Sequence, residues 1–293
     1  MPAQPMIEAF FDDQTNTVSY LVADPASGEA AVVDPVLGFD AAGGVVDTTF
    51  ADRMLARAAE RRWRVAWVLE THAHADHLTA APYIKSKTGA PIGIGEHIRQ
   101  VQAIFGPLFA FDDLAPNGSD FDRLFTDSER FRVGALEVEV MHVPGHTPAD
   151  VAYRIGDAVF AGDTLFMPDY GTARADFPGG DARTLYRSVR RLLALPETTR
   201  LFLCHDYKAP GRDDYRWETT VGEQKRANVH VRDGIDEEAF VTMREARDAT
   251  LAVPKLLLPS IQVNIRAGHF PAPMANGIRY LRIPLRGLPT ALQ

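Results

Sequence analysis

Three histidines and one aspartate occupy a single short segment of this chain. Residues 71–77 read Thr-His-Ala-His-Ala-Asp-His, which brings His72, His74, Asp76 and His77 close together. Neutral imidazole nitrogens and carboxylate oxygens are the ligands that zinc and iron bind in proteins. Crowding these groups without a cation would cost desolvation and repulsion. The segment therefore predicts a metal site, and a solvated polar loop is the alternative for the segment taken alone.

Three further motifs carry potential ligands, and each follows a run of residues typical of a β-strand. They are Pro144-Gly145-His146-Thr147 after residues 136–143, Gly162-Asp163-Thr164 after residues 158–161, and Cys204-His205-Asp206-Tyr207 after residues 200–203. A rigid sheet delivers side chains from the ends of several strands to one edge. We therefore expect His146, Asp163 and His205 to meet the segment 71–77 at a common site.

Strands and helices are predicted along the whole chain around these motifs. A buried strand over 65–69 leads into the ligand segment, and a helix over 76–88 follows, which places the ligands near a helix N-terminus. The other predicted elements are strands over 17–23, 30–33 and 91–94, helices over 50–63, 97–105, 182–195, 218–228 and 236–252, a surface loop over 105–122, and a proline-rich tail from Pro254.

The composition of the chain restricts the classes of protein to which it can belong. With 293 residues, of which 46% are hydrophobic, the chain has enough material for one large core or two modest ones. Because the potential ligands extend from His72 to His205 and must converge, that stretch belongs to one domain. The formal charge of −8 argues against a nucleic-acid partner or an anionic membrane surface. No apolar run approaches the roughly 20 residues of a membrane-spanning helix.

The N-terminus and the cysteine content indicate the compartment. Residues 1–13 lack the basic start and long apolar run of a secretory signal. Cys204 is the only cysteine, so an internal disulfide is excluded and a reducing compartment is favoured. We expect a cytoplasmic protein in which Cys204 is a buried structural residue rather than a reactive thiol.

The four motifs together resemble those of the metallo-β-lactamase superfamily, in which His-Xaa-His-Xaa-Asp-His is followed by a histidine, an aspartate and a last histidine. The resemblance spans His72 to His205. It implies an α/β fold of the αββα sandwich type, with two packed mixed β-sheets, helices outside them and the metal site at one edge. We expect a catalytic domain over 1–215, and over 216–293 a helical extension and tail that pack on the same domain.

In this superfamily the same residues hold either two zinc ions or one iron ion. A dinuclear zinc site would activate a hydroxide for hydrolysis, with one zinc held by His72, His74 and His146, the other by Asp76, His77 and His205, and Asp163 bridging. A mononuclear iron site would use two imidazoles and one carboxylate and leave positions open. Every residue for both is present, so the spacing does not choose between them.

Residues near the ligands resemble the persulfide dioxygenase family of this superfamily. The specific parts are Gly171-Thr-Ala-Arg-Ala-Asp-Phe and His205-Asp-Tyr, and the run 256–266 resembles a bacterial branch with a longer C-terminus. The resemblance implies that a single Fe(II) is bound by His72, His146 and Asp163. His74, Asp76, His77 and His205 would then orient the ligands. The implied reaction oxidises glutathione persulfide with O₂ to sulfite and glutathione.

The same resemblance suggests residues for the substrate. It places Arg174, Asp206 and Tyr207 in catalysis, with Arg174 and Tyr207 positioning the substrate and supporting the ligands. An ion pair with Asp176 is the alternative for Arg174. Lys225 and Arg226, on the predicted helix 218–228, are candidates to bind the carboxylates of glutathione, and a solvated helix face is the alternative for each.

Two further interpretations stay open. A dinuclear zinc hydrolase of a glutathione thioester, as in glyoxalase II, or of a lactone shares the fold and every ligand. A homodimer is also possible, because relatives of the family are often dimers. His97, His142, His230 and His269 match no motif, and we expect them at the surface or hydrogen-bonded within the core.

Overall fold

The computed structural model describes residues 4–285 and residue 287. The strands are β1 (Met6–Asp12), β2 (Thr17–Ala23), β3 (Glu29–Val33), β4 (Val36–Asp40), β5 (Val45–Asp47), β6 (Arg64–Leu69), β7 (Leu78–Thr79), β8 (Ile92–Gly95), β9 (Arg123–Phe125), β10 (Arg130–Val133), β11 (Leu136–His142), β12 (Val151–Ile155), β13 (Ala158–Phe160), β14 (Arg200–Phe202) and β15 (Glu218–Thr220). The helices are α1 (Thr49–Glu60), α2 (Ala81–Thr88), α3 (Ile98–Leu108), α4 (Ala182–Leu193), α5 (Val221–Ala227), α6 (Glu237–Asp248) and α7 (Leu257–Asn264).

The strands form two large mixed sheets and one small sheet. The first large sheet has the order β1-β2-β3-β6-β8-β9, the second runs from β10 to β15 in chain order, and the small sheet is β5-β4-β7. Neighbours are parallel where a helix connects successive strands, as in β6 with β8 and β13 with β14. Hairpin neighbours such as β1 with β2 are antiparallel.

The two large sheets pack face to face. The core between them contains Tyr20 and Val33 from the first sheet with Tyr153, Phe160 and Phe202 from the second. Helices α1, α2, α3 and α7 cover the outer face of the first sheet, and α4 and α6 cover that of the second. This arrangement of layers confirms the αββα sandwich predicted from the motifs.

The helix expected over 76–88 begins later than predicted. Leu78 and Thr79 pair with β4 instead, so a short strand separates the ligand segment from α2. The Thr79 hydroxyl accepts a hydrogen bond from the Ala81 amide, and Pro82 occupies the first turn of the helix. The ligands therefore precede a strand pairing and do not lie directly at a helix N-terminus.

The C-terminal part of the chain also differs from the expectation. The predicted helix over 218–228 begins as strand β15, which pairs with β14, and becomes helical only at Val221. The predicted tail after Pro254 contains helix α7. Pro259 lies in the first turn of α7, where the missing N–H removes no intrahelical hydrogen bond, so this proline does not prevent the helix.

The C-terminal elements contribute side chains to the same cores as the rest of the chain. Phe240 of α6 packs in the core over the second sheet, and Ile261 and Val263 of α7 pack in the core over the first. The boundary at residue 215 stays a prediction. Residues 286 and 288–293 of the expected extension lie outside the described residues. Among the described helices, none combines the length and the apolar character needed to span a bilayer.

Asn264, the last residue of α7, fixes the ligand segment to the C-terminal part of the chain. Its amide nitrogen donates to the carbonyl oxygens of His74 and His77, each at 2.8 Å, and its amide oxygen accepts from the Thr79 amide at 2.9 Å. All of these groups are buried. Three backbone groups around the ligands therefore depend on one side chain.

We predict that Asn264→Ala lowers the free energy of unfolding by about 3 kcal/mol, because it leaves three buried backbone groups without partners. Metal affinity falls as well, by about tenfold, because the ligand segment loses its support. Urea denaturation and metal-competition titration measure the two effects. Asn276→Ala is the matched control, since its amide bonds only an exposed tyrosine hydroxyl and an exposed backbone amide. Equal stability of the two variants would contradict this role of Asn264.

Candidate metal centre

The predicted ligands come from the ends of four strands and meet at one edge of the sandwich. His72 follows β6, His146 follows β11, Asp163 follows β13 and His205 follows β14. Each of these side chains is at least nine-tenths buried. Residues more than 130 positions apart along the chain thus share one site.

One group of ligands consists of His72, His146 and Asp163, whose ligand atoms all lie within 4.8 Å of one another. Oδ2 of Asp163 is 3.6 Å from Nε2 of His146 and 4.0 Å from Nε2 of His72. The two imidazole rings are perpendicular, with centroids 5.2 Å apart. Two imidazoles and one carboxylate therefore face a common point from three directions.

A second group lies beside the first and consists of His74, Asp76 and His77 together with His205. The ligand atoms of the first three are within 4.8 Å of one another. Nε2 of His205 is 3.2 Å from Oδ2 of Asp76 and 3.3 Å from Oδ1 of Asp163. Asp163 consequently presents one carboxylate oxygen to each group.

Several buried ligand atoms have no hydrogen-bond partner among the residues that the structure describes. They are Nε2 of His72, Nδ1 of His74, Nε2 of His77, Oδ1 of Asp163 and Nε2 of His205. A buried polar atom without a partner is costly, and a cation held among such nitrogens and oxygens removes that cost. The donor set fits a zinc or iron ion and extends over both groups.

Hydrogen bonds on the far side of the imidazoles orient them for metal binding. Nδ1 of His146 donates to the Arg174 carbonyl oxygen at 2.8 Å, and Nδ1 of His205 donates to the Asn16 carbonyl oxygen at 3.1 Å. In each ring Nε2 is then the nitrogen that faces the site and would bind a metal. Burial, followed by the neighbouring imidazoles, lowers the pKa of His72 far below its ordinary value, which favours the neutral form that binds metal.

Two buried carboxylates that the sequence analysis did not identify support His74. Nε2 of His74 lies 3.0 Å from Oδ1 of Asp34 and 3.4 Å from Oε2 of Glu70. Asp34 also accepts from the amide and the hydroxyl of Thr71, and its backbone has φ of 49°, which puts it in the left-handed region directly before Pro35. For Asp34, the sequence offered one signal, an acidic residue at the end of a buried strand. For Glu70, no feature of the sequence indicated a supporting role.

A cavity of about 270 Å³ opens over the ligands. Asp76, His146 and Asp163 reach it from the metal groups. Its remaining walls combine aromatic, cationic and small side chains: Phe166, Tyr170, Phe177, Tyr207, Arg174, Arg244, Arg247, Ala75, Thr172, Ala173, Leu251, Ala252 and Pro254. The site is therefore accessible to a small molecule from one side.

Arg174 and Tyr207 both lie at this cavity. The Arg174 guanidinium forms the ion pair with Asp176 that was the alternative interpretation, with N to O distances of 2.6 and 2.8 Å. It also donates to the Ala252 carbonyl oxygen. The Tyr207 ring stacks against His205, with centroids 5.5 Å apart. Arg174 thus lines the cavity with its charge already paired.

The structure does not place Asp206 at the cavity. Its carboxylate is buried and accepts two hydrogen bonds from the Arg212 guanidinium, at 2.6 and 2.7 Å, and one from the Arg216 amide. These contacts tie together the loop that follows His205. A catalytic role of Asp206 stays a prediction, since its carboxylate bonds Arg212 and Arg216 and is not among the groups that line the cavity.

Lys225 and Arg226 also lie elsewhere. Neither lines the cavity, and both approach Glu197, at 3.2 Å and 3.7 Å respectively. Helix α5 directs them toward the turn after α4. Glutathione binding by these residues stays a prediction, and their contacts with Glu197 fit the alternative of a solvated helix face.

His230 has the hydrogen-bonded core position that was one of its two expected environments. Its Nδ1 accepts from the Thr172 amide at 3.0 Å. Gly171 has φ of 106°, and a Cβ there would lie 2.1 Å from His230 Nδ1. Burial, helped by the charges of Arg244 and Arg247, lowers the pKa of His230 to about 4. A neutral His230 therefore holds the turn that forms one wall of the cavity.

Comparison with known proteins agrees with this architecture. Residues 12–205 match the Metallo-beta-lactamase superfamily. The chain belongs to this superfamily. A probable metallo-hydrolase of Burkholderia pseudomallei is 53% identical over 290 residues, which cover 95% of the chain and 98% of the relative.

Some relatives are longer than this chain. Beta-lactamase hydrolase-like proteins of Xylella fastidiosa and Agrobacterium fabrum are 50% identical over 97% of the chain, but the chain spans only 65% of their length.

A crystal structure of ETHE1 from Myxococcus xanthus shares the fold, with a TM-score of 0.73 and 31% identity over 90% of the chain and 100% of that protein. The names of more distant relatives divide between two reactions. A hydroxyacylglutathione hydrolase of Methylococcus capsulatus is 30% identical and covers 92% of the chain and 88% of that relative. A mitochondrial persulfide dioxygenase ETHE1 of the mouse is 26% identical over 90% of the chain and 89% of that relative.

We predict that Asp163→Ala lowers the metal content per chain at least tenfold, because its two oxygens face both ligand groups. Plasma mass spectrometry of the purified protein measures the content. The control is His97→Ala, a histidine that stacks on His142 away from the centre, and it should retain the wild-type content. A full complement of metal in Asp163→Ala would contradict the central position of this carboxylate.

We predict that His230 makes the metal-free protein sensitive to acid between pH 6.5 and about 4. Its pKa is lowered in the folded state, so the unfolded chain binds the proton first, and stability present above pH 6.5 is lost as the pH falls. Over the full interval the loss is about 3 kcal/mol. Urea denaturation of the wild type and His230→Asn at several pH values isolates this contribution. Parallel pH profiles would disprove it.

Proposed function

We propose that this protein is a persulfide dioxygenase that uses one Fe(II), held by His72, His146 and Asp163. The observation that supports it most is this set of two imidazoles and one carboxylate at the base of an open cavity, a ligand set typical of non-haem iron oxygenases. The sequence similarity to the persulfide dioxygenase ETHE1 of the mouse, together with the structural similarity to ETHE1 of Myxococcus xanthus, supports this proposal.

The proposed reaction converts glutathione persulfide, O₂ and water into glutathione, sulfite and two protons. The terminal sulfur is oxidised and the sulfur–sulfur bond breaks, while O₂ is reduced. Ferrous iron, when bound, would supply open positions for the sulfur and for O₂ and would stabilise the negative charge that develops on oxygen.

The chain's own residues would bind and orient the persulfide. Phe166, Tyr170, Phe177 and Tyr207 form aromatic walls that exclude water from the reacting sulfur. The Arg174 backbone carbonyl orients His146, while the ion pair with Asp176 holds the Arg174 side chain at the rim. One segment thus positions both a ligand and the wall beside it.

A second candidate is a dinuclear zinc hydrolase of glutathione thioesters. The unpartnered nitrogens of His77 and His205, together with Asp76, supply the ligands for a second metal. The similarity to hydroxyacylglutathione hydrolase favours the same interpretation. Lactone hydrolysis would use the same zinc pair.

Substitution of His77 separates the two candidates. At a mononuclear iron site, we predict that His77→Ala keeps about one iron per chain and loses about 10- to 100-fold in turnover, because His77 only supports the ligands. His146→Ala, the matched variant of a direct ligand, should lose the iron and essentially all turnover.

The assay is oxygen uptake with glutathione persulfide after anaerobic reconstitution with Fe(II), alongside hydrolysis of S-lactoylglutathione after loading with zinc. Oxygen uptake by the iron form supports the dioxygenase. Two zinc ions per chain with rapid thioester hydrolysis, and no oxygen uptake by the iron form, would establish the hydrolase instead.

A further inference from the structure

Helix α6 brings a cationic side chain to the cavity that no motif in the sequence indicated. Three arginines line the cavity. Arg174 is paired with Asp176, and Arg244 is buried and paired with Asp248 at 2.6 Å. Arg247 has no carboxylate within ion-pair distance among the described residues, and its side chain is exposed. Of the three cations at this cavity, Arg247 is the one whose charge is still available to a ligand.

The position of Arg247 is fixed by its neighbours on the helix. Arg244 donates to the Thr172 carbonyl oxygen, and Asp248 accepts from the Ala175 amide. These buried contacts, on both sides of Arg247 in sequence, fasten α6 to the segment that forms the cavity wall. The Arg247 guanidinium lies over the Tyr170 ring, 5.7 Å from its centroid. A pre-positioned guanidinium loses little conformational freedom when it binds an anion.

The cavity therefore has two ends with different chemistry. The metal ligands at its base are almost completely buried, whereas Arg247 stands at the solvent-exposed rim. A molecule that reaches the metal with a sulfur atom and carries a carboxylate at its other end would satisfy both. Arginine binds carboxylate through two parallel hydrogen bonds, which fixes orientation as well as charge.

We propose that Arg247 binds a carboxylate of the substrate and thereby selects anionic thiol peptides over neutral thiols. This inference rests on the proposed glutathione-derived substrate but not on the type of reaction at the metal. It assigns to α6 the substrate recognition that the sequence analysis had assigned to Lys225 and Arg226.

Binding of glutathione, measured by isothermal titration calorimetry on the metal-loaded protein, tests the proposal without any turnover. Arg247→Ala should weaken glutathione binding at least tenfold, and Arg247→Lys should restore part of the affinity. Glutathione diethyl ester, in which both carboxylates are blocked, should bind the wild type weakly and Arg247→Ala equally weakly. Arg232→Ala removes an exposed arginine that does not line the cavity and is the matched control.

The proposal is overturned if Arg247→Ala binds glutathione as the wild type does. It is also overturned if the variant loses as much affinity for the diethyl ester as for glutathione, because the residue then acts through the shape of the cavity. In turnover with glutathione persulfide, the variant should raise KM at least tenfold with little change in kcat.

The outcomes separate this proposal from the proposed function. If Arg247 governs glutathione binding but the iron-loaded protein consumes no oxygen, the result supports the carboxylate site and contradicts the proposed dioxygenase activity. If oxygen is consumed while glutathione affinity and KM do not depend on Arg247, the result supports the dioxygenase activity and contradicts the carboxylate site.

Discussion

Burial of unpartnered ligand atoms is the constraint on which this structure depends. Imidazole nitrogens and a carboxylate oxygen that lie inside a protein without hydrogen bonds raise its free energy, and a bound cation reverses that penalty. The two sheets provide the rigidity for this arrangement, because strand ends separated widely in sequence are held at one edge by a continuous apolar core. Packing in the sandwich and chemistry at its edge are therefore coupled.

The ligand segment is supported from two sides. Asp34 and Glu70 hold the far nitrogen of His74, while Asn264 holds the carbonyls of His74 and His77. A histidine whose second nitrogen bonds a carboxylate is a stronger and better oriented ligand. The buried polar groups behind the centre thus define its geometry as much as the ligands themselves do.

Sequence reasoning could predict the fold and the members of the ligand groups, because metal binding restricts both residue type and spacing. It placed His146, Asp163 and His205 after strands, where the structure also has them. It did not identify Asp34, for which a position directly after a buried strand was the available signal, and it could not find Arg247, since a helix arginine has the same local pattern whether it faces solvent or a site. Helix α7 was missed because proline discouraged a helix, although Pro259 occupies the one turn that tolerates it. The position of Lys225 and Arg226 relative to the cavity could not be predicted, because helical periodicity does not reveal which neighbour a face meets.

The contact between α7 and the ligand segment joins two parts of the chain that are 187 to 190 residues apart in sequence. Asn264 is synthesised 187 residues after His77, yet its amide completes the frame around His74 and His77. During synthesis the earlier ligands are consequently made long before they are held in place. Secure capture of a metal therefore requires that α7 has been made and has docked against the ligand segment.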